Sequence, residues 1–292
     1  MATHARRRSS VVTMAENTVT ETSELVHLHV VDGVATITLD SPDNRNALSA
    51  QLRRELTAHL ATTAADDAVR VVVLDHTGHV FCAGMDLRES RGAGPSAQGV
   101  NEFPQILEAL WRHPKPVIAA LSGLARAGGV GLVAACDIAV ASTAASFAFS
   151  EVRLGLVPAV ISVAVLPRLA PRAAQELFLT GDVFSAERAA EIGLLTAAVA
   201  PEDLRERVLH YVTALGKGAP LALTRTKELL SAGTADGMGA RFGEMLELSA
   251  GFFAAPEAQE GMTAFAEKRP ASWVPTHTIG AQGAVGQSSR TR

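Results

Sequence analysis

Three stretches of this chain carry residues whose types and spacing could do chemistry. The first is residues 115–141, KPVIAALSGLARAGGVGLVAACDIAVA. Its apolar run 117–121 has the length and content of a buried strand, and Ser122-Gly123 breaks it. The cluster Ala127-Gly128-Gly129 then precedes Val130, Leu132, Val133, Ala134 and Ala135, which suit a short buried helix closed by Cys136-Asp137. Glycines at a helix start leave the first backbone N–H groups unpaired and uncovered. Those donors sit at the positive end of the helix dipole, so backbone alone can stabilise a developing oxyanion. The alternative is a tight turn packed against a neighbour. The second stretch is FCAGMDLRE, residues 81–89. Ala83 and Gly84 remove side-chain bulk there, making the Met85 N–H a candidate second donor facing the first. In the third, FSEVRLGLVP (149–158), Glu151 has largely apolar neighbours, which would raise its pKa and suit it to acid–base work near neutrality. The alternative there is an ion pair with Arg153 or another surface base.

The composition limits what such a site could serve. The chain has 292 residues, 48% of them hydrophobic, enough to bury a large core. A net charge of −4 and a pI of about 6.1 leave no basic footprint for nucleic acid. No apolar run reaches the ~18 residues of a membrane span. The two cysteines, Cys82 and Cys136, lie apart with no CxxC partner, which argues against a zinc site or a disulfide scaffold. A reducing, cytoplasmic setting is expected. The opening lacks the h-region expected of a secretory signal; being Arg-rich it resembles an organelle transit peptide, but Glu16 and Glu21 oppose that. Residues 1–24 are expected to be a disordered extension, with Met14 an alternative start, and residues 276–292 a disordered tail.

Between those ends, residues 26–31 and 34–39 read as two strands around an Asp32-Gly33 turn. Leu48, Leu52, Leu56 and Leu60 give residues 47–61 an amphipathic helix, and 69–74 is a continuous apolar strand. Residues 144–149 form another short strand, 88–101 a polar, Gly-rich loop, and 102–111 a helix. Helices follow at 170–180 and 185–192, the latter capped by Ser185. From Glu202 to about Lys268 the pattern is helical throughout, placing a boundary near Pro201 between a 25–200 core and a 201–275 helical segment.

In this order, Asn46-Ala47-Leu48, FCAGMDL, KPVIAALSG with its Gly-Gly helix start, CDIAVA, FSEVRLGLVP, LTGDVFSAERAAEIGLL and FAEKR resemble the crotonase (enoyl-CoA hydratase/isomerase) superfamily over residues from about 25 to 270. The resemblance implies an α/β fold, a spiral of ββα repeats with a C-terminal α-helical trimerisation segment, assembled as a homotrimer or dimer of trimers. It implies an acyl-CoA ligand whose thioester carbonyl is held by the N–H groups of Met85 and Gly128. Coenzyme A would run past Ala47, Ala83, Gly84, Asp86, Leu87 and Gly129 and meet Phe265 and Lys268. Apolar residues such as Trp111, Leu154 and Ile161 are candidates for the acyl pocket. No metal or redox cofactor is implied, because amides stabilise the enolate.

One departure matters. Two-glutamate hydratases of this family carry their first glutamate three residues after the oxyanion glycine, and Gly131 stands there; the second matches Glu151. A single carboxylate is enough to move one proton between α and γ carbons, as single-glutamate isomerases do, yet some hydratases look like single-glutamate forms. The Asp that a dehalogenase would place just after Val157-Pro158 is absent. Arg126, two residues before Gly128, could bind a second carboxylate on the acyl group, as in a glutaconyl-type acid, or could be a surface or intersubunit charge. The expected activity is hydration of a 2-enoyl-CoA with Glu151 as the single acid–base. The alternatives are isomerisation of a 3-enoyl-CoA and a relative that binds acyl-CoA without turnover.

Overall fold

Asp32 and Gly33 both take positive φ, 50° and 78°, as a two-residue hairpin turn of matching twist demands. They join β1 (Val26–Val31) to β2 (Val34–Leu39) in antiparallel register, Val31 opposite Val34. The structure is a computed structural model that describes residues 23–90 and 102–275. The expected terminal extensions therefore fall outside the described residues, apart from Ser23 and Glu24, as do positions 91–101 of the expected loop.

After the hairpin the chain repeats one move. Helix α1 (Ala50–Ala65) leads to β3 (Val71–His76) and β4 (Val80–Cys82), then α2 (Leu87–Ser90) and α3 (Phe103–Trp111). Next come β5 (Val117–Leu121), β6 (Leu124–Arg126) and α4 (Gly128–Ala135), followed by β7 (Ile138–Ser142) and β8 (Ser146–Ala148). Each pair sends its first strand to one sheet and its second to another. The large sheet has the order β1-β2-β3-β5-β7-β10 and the small one β4-β6-β8-β9, with β9 at Phe184–Ser185 and β10 at Ala197–Val199. From β2 onward the large sheet is parallel, and its β3 and β5 are buried along most of their length, hence their unbroken apolar sequence. This is the expected spiral of repeats.

Several boundaries move for local reasons. Helix α1 starts at Ala50 rather than Ala47 because the Ser49 side chain accepts the Leu52 N–H as an N-cap, and Asn46 before it lies at φ 51°. The strand expected from Val69 begins at Val71, and the one at 144–149 contracts to β8. Strand β6 was not expected: three residues with an arginine at the end carry no strand pattern, and parallel pairing to β4 and β8 creates it.

Helices α5 (Ala159–Val165), α6 (Pro171–Thr180) and α7 (Ala186–Glu191) complete the core, and Ser185 caps α7 as expected. Beyond a 3-10 turn at Pro201–Asp203 come α8 (Leu204–Gly216), α9 (Pro220–Ala235), α10 (Met238–Phe253) and α11 (Pro256–Glu267). Helix α8 lays Val208, Val212 and Leu215 on Val71, Val73 and Ile118, covering the outer face of the large sheet. Leu221, Leu229 and Leu230 remain exposed on α9. No described helix is long and apolar enough to cross a membrane.

Candidate active site

Helix α4 is buried at all eight positions, and its N-terminus opens on a cavity of ≈ 1890 Å³. Ala127 precedes it at φ 47°, a left-handed conformation costly for a residue with a Cβ. The Ala127 N–H is tied to Ala148 O at 3.1 Å, while Ala127 O receives Val130 N and Gly131 N at 2.9 and 3.3 Å. Those bonds fix the turn. Gly128, as the first helical residue, has no carbonyl one turn earlier to take its N–H.

Met85 meets this turn from the other side. A Cβ added to Gly84 (φ 89°) would lie 3.0 Å from Ala127 Cβ and 3.4 Å from Gly128 N, so the two turns touch because residue 84 lacks a side chain. Gly84 O accepts the Leu48 N–H at 2.8 Å, and Leu48 and Met85 form a parallel bridge. Among the described residues the Met85 N–H has no backbone acceptor. Met85, Gly128 and Glu151 all line the cavity.

Two residues missed as positioning elements hold this side in place. Fully buried Asn46 accepts Ser41 N at 2.6 Å and donates to Val80 O and Thr77 O at 2.7 and 3.2 Å. Buried Arg53 on α1 donates to Leu48 O at 2.6 Å and pairs with Glu102 at 3.2 Å. The signal for Asn46 was available in its tolerance of the left-handed region. Arg53 gave none, since an arginine on an amphipathic helix reads as solvated.

Glu151 sits in the 3-10 turn Ser150–Leu154 that follows β8. One edge of the residue opens to the cavity, while Oε2 is covered and has no hydrogen-bond partner among the described residues. Burial pushes its carboxyl up to about 7, opposed in part by a hydrogen bond to its own backbone. The ion pair considered from sequence does not form, because Arg153 turns to Asp182 and Thr180 O. At Gly131 an added Cβ would stand 2.8 Å from Ile161 Cγ2 and 3.3 Å from Ile161 Cβ. A side chain at that position would have to displace Ile161. The place is filled by hydrocarbon.

Of the other expected contact residues, Ala47, Ala83, Asp86, Arg126 and Phe265 line the cavity. Gly84 acts behind the wall, through the close approach described above. Gly129 does not face a ligand: its Cβ would lie 2.4 Å from Cys82 O, so it lets α4 pack on β4. Lys268 is off the cavity wall as well and ends α11 at φ 55°. The Leu87 side chain lies outside the described residues. Leu154 and Ile161 line the cavity, but Trp111 is buried elsewhere, under the Arg168 guanidinium at 4.4 Å. Leu156, Phe253 and Met262 add an apolar wall that periodicity could not assign. The arrangement can hold a carbonyl oxygen on two amides and move one proton beside it. Among the described residues no group of three His, Cys, Asp or Glu side chains is placed to hold a metal.

Comparison with known proteins identifies the family and the fold. The family model for enoyl-CoA hydratase/isomerase matches residues 30–275. An enoyl-CoA hydratase from Mycobacterium avium, of known crystal structure, is 43% identical with a TM-score of 0.80, covering 87% of this chain and 100% of that one. The human enoyl-CoA hydratase domain-containing protein 3, mitochondrial, is 31% identical over 246 residues, 83% of this chain and 81% of its own. The (E)-benzylidenesuccinyl-CoA hydratase of Thauera aromatica is 34% identical over 211 residues, 70% of this chain and 80% of its own.

Proposed function

The chain belongs to the enoyl-CoA hydratase/isomerase family, and we propose that within it this protein hydrates a 2-enoyl-CoA thioester with Glu151 as its one acid–base group. The observation that carries the reading is a buried carboxyl with an unpartnered oxygen, held beside an amide-lined turn on one cavity. Ionised Glu151 takes a proton from water, whose oxygen bonds to C3 of the enoyl group. The C2=C3 pair shifts toward C1, and charge arrives on the thioester oxygen, where the Met85 and Gly128 N–H groups stabilise it. Protonated Glu151 then gives its proton to C2 as the carbonyl re-forms, so water has been added and the carboxylate regenerated. A pKa of about 7 keeps both protonation states populated near neutrality. The scheme needs no cofactor beyond the coenzyme A carried by the substrate.

One observation favours a second reading. With glycine at 131 and Ile161 packed against it, Glu151 is the single carboxylate offered, and a proton shuttle from the α carbon of a 3-enoyl-CoA to its γ carbon needs no more. We propose as well that the exposed Leu221, Leu229 and Leu230 of α9 are covered by further copies of the chain in a homotrimer or dimer of trimers.

The test follows the absorbance of the conjugated thioester. Loss of signal from a short 2-enoyl-CoA supports hydration; a gain from the 3-enoyl-CoA alone replaces it with isomerisation. Silence with both, together with thermal stabilisation by acyl-CoA, would make the protein a binder without turnover.

A further inference from the structure

The cavity wall upstream of Gly128 holds a cation that the reaction above does not use. On β6, Leu124 and Arg126 face the cavity and Ala125 between them is buried. Arg126 is half-buried, and Nη1 donates to Ala125 O at 2.9 Å and Ser146 O at 2.6 Å, while Nη2 donates to Ser146 Oγ at 2.9 Å. Those bonds use both Nη1 hydrogens and one on Nη2. The two donors left over, Nε–H and the second Nη2–H, lie along one edge of the planar group. That edge is the parallel fork matching two oxygens of a carboxylate or phosphate. Only burial acts on this guanidinium, which has no acidic side chain beside it among the described residues. A half-buried charge with a free fork on a ligand cavity is suited to take an anion there.

We propose that the open edge of Arg126 is an anion subsite of the substrate, taking an oxyanion group remote from the thioester. The proposal rests on the reading that the cavity takes a coenzyme A thioester. The strand register sets how remote the group is. Ala125 pairs with Phe147 and Arg126 with Ala148, so Ser146, which anchors the guanidinium, is level with Leu124. Strand β6 ends at Arg126 and the chain turns at Ala127, so the distance is read along β8: Ser146 lies two residues, on the order of 7 Å, before Ala148, whose carbonyl takes the Ala127 N–H. The group is a second carboxylate carried along the acyl chain or a phosphate of the coenzyme, and binding experiments separate the two.

Calorimetry with unreactive saturated thioesters makes the test independent of turnover. The full chain, Arg126→Met and Arg126→Lys are each titrated with butyryl-CoA, butyryl-pantetheine, decanoyl-CoA and the ω-carboxy counterpart of decanoyl-CoA. The expected result is at least a tenfold weaker Kd in Arg126→Met for the anion-bearing ligand, with a smaller loss in Arg126→Lys. Weakening for all three CoA esters but not the pantetheine ester identifies a phosphate. Weakening confined to the ω-carboxy ester identifies the acyl carboxylate. An equal loss for all four, butyryl-pantetheine included, would mean that Arg126 merely staples β6 to β8 and would overturn the proposal, as would no loss for any. Ser146→Ala, which loosens the anchor and leaves the charge, controls for folding. Failure of turnover alone would count against the proposed reaction and leave these affinities readable.

Discussion

Gly129 and Gly243 each lie inside an α-helix, yet a Cβ at Gly129 would stand 2.4 Å from the Cys82 carbonyl oxygen, whereas one at Gly243 would meet nothing within 4 Å. The contrast runs through two regions. Around the site, Gly123 would strike His79 O at 2.3 Å and Gly261 would strike Leu154 O at 2.3 Å. In the C-terminal helices, Gly216, Gly233, Gly239 and Gly251 face open space, and Leu229 and Leu230 are 76% and 81% exposed. One region is made by backbone approaching backbone until no side chain fits. The other consists of helix faces with room beside them. The amide site needs the first kind of construction, because two turns can present N–H groups to one oxygen only if nothing stands between them.

The largest effect that would sharpen this contrast falls on the carboxyl set within the close-packed region. Glu151→Gln keeps shape and removes the proton carrier, so turnover should drop by about 10²–10⁴ while acyl-CoA binding persists. In the parent enzyme kcat/KM should fall as pH drops below about 7, where Glu151 takes up its proton. Stability should move the opposite way. The folded-state pKa lies above the ordinary 4.5, so between pH 4.5 and 7 the unfolded chain loses this proton while the folded one retains it. The group therefore costs nothing below pH 4.5, and its cost grows to a plateau above 7, with a ceiling of about 3 kcal/mol. The open edge toward the cavity lowers that ceiling. Thermal melts should show Glu151→Gln more stable than the parent at pH 8 and equal at pH 4. Equal melting at both would mean that solvent reaches the carboxyl freely and that the region is looser than its glycines suggest.

A smaller effect, and one that tests the packing itself, is expected at Gly129. Its Cβ would press on backbone, which cannot rotate away, so Gly129→Ala should lose on the order of 1–3 kcal/mol in denaturant unfolding. Activity should fall with it, since α4 carries Gly128.

How much of this was legible follows from the same contrast. The amide turns could be read because glycine and alanine at 83–84 and 127–129 are local signals, and the strands of the large sheet because unbroken apolar runs are too. Glu151 was legible as a carboxyl among apolar neighbours, but its freedom from Arg153 depended on Asp182, distant in sequence. What Gly129 packs against, and what fills the space beside Gly131, were not legible. Cys82 and Ile161 reach those places only through the spiral, from 47 and 30 residues away. Arg126 was open for a related reason: whether its charge is paired depends on Ser146 across a strand pairing that no periodicity announces.

The smallest predicted effect is at Gly243, and its sign tests the other half of the comparison. Residue 243 is exposed in the interior of α10, where glycine is a poor helix former and a methyl group meets no neighbour in the monomer. Gly243→Ala should therefore stabilise the chain by about 1 kcal/mol, through the lower conformational entropy of the unfolded state. The melt is run beside sedimentation of the same variant. A gain in melting temperature with assembly unchanged fits a face that stays in solvent. A loss, accompanied by dissociation, would place a second copy of the chain against α10. The open space of the C-terminal helices would then be close packing completed by a partner, as backbone completes it around Gly129.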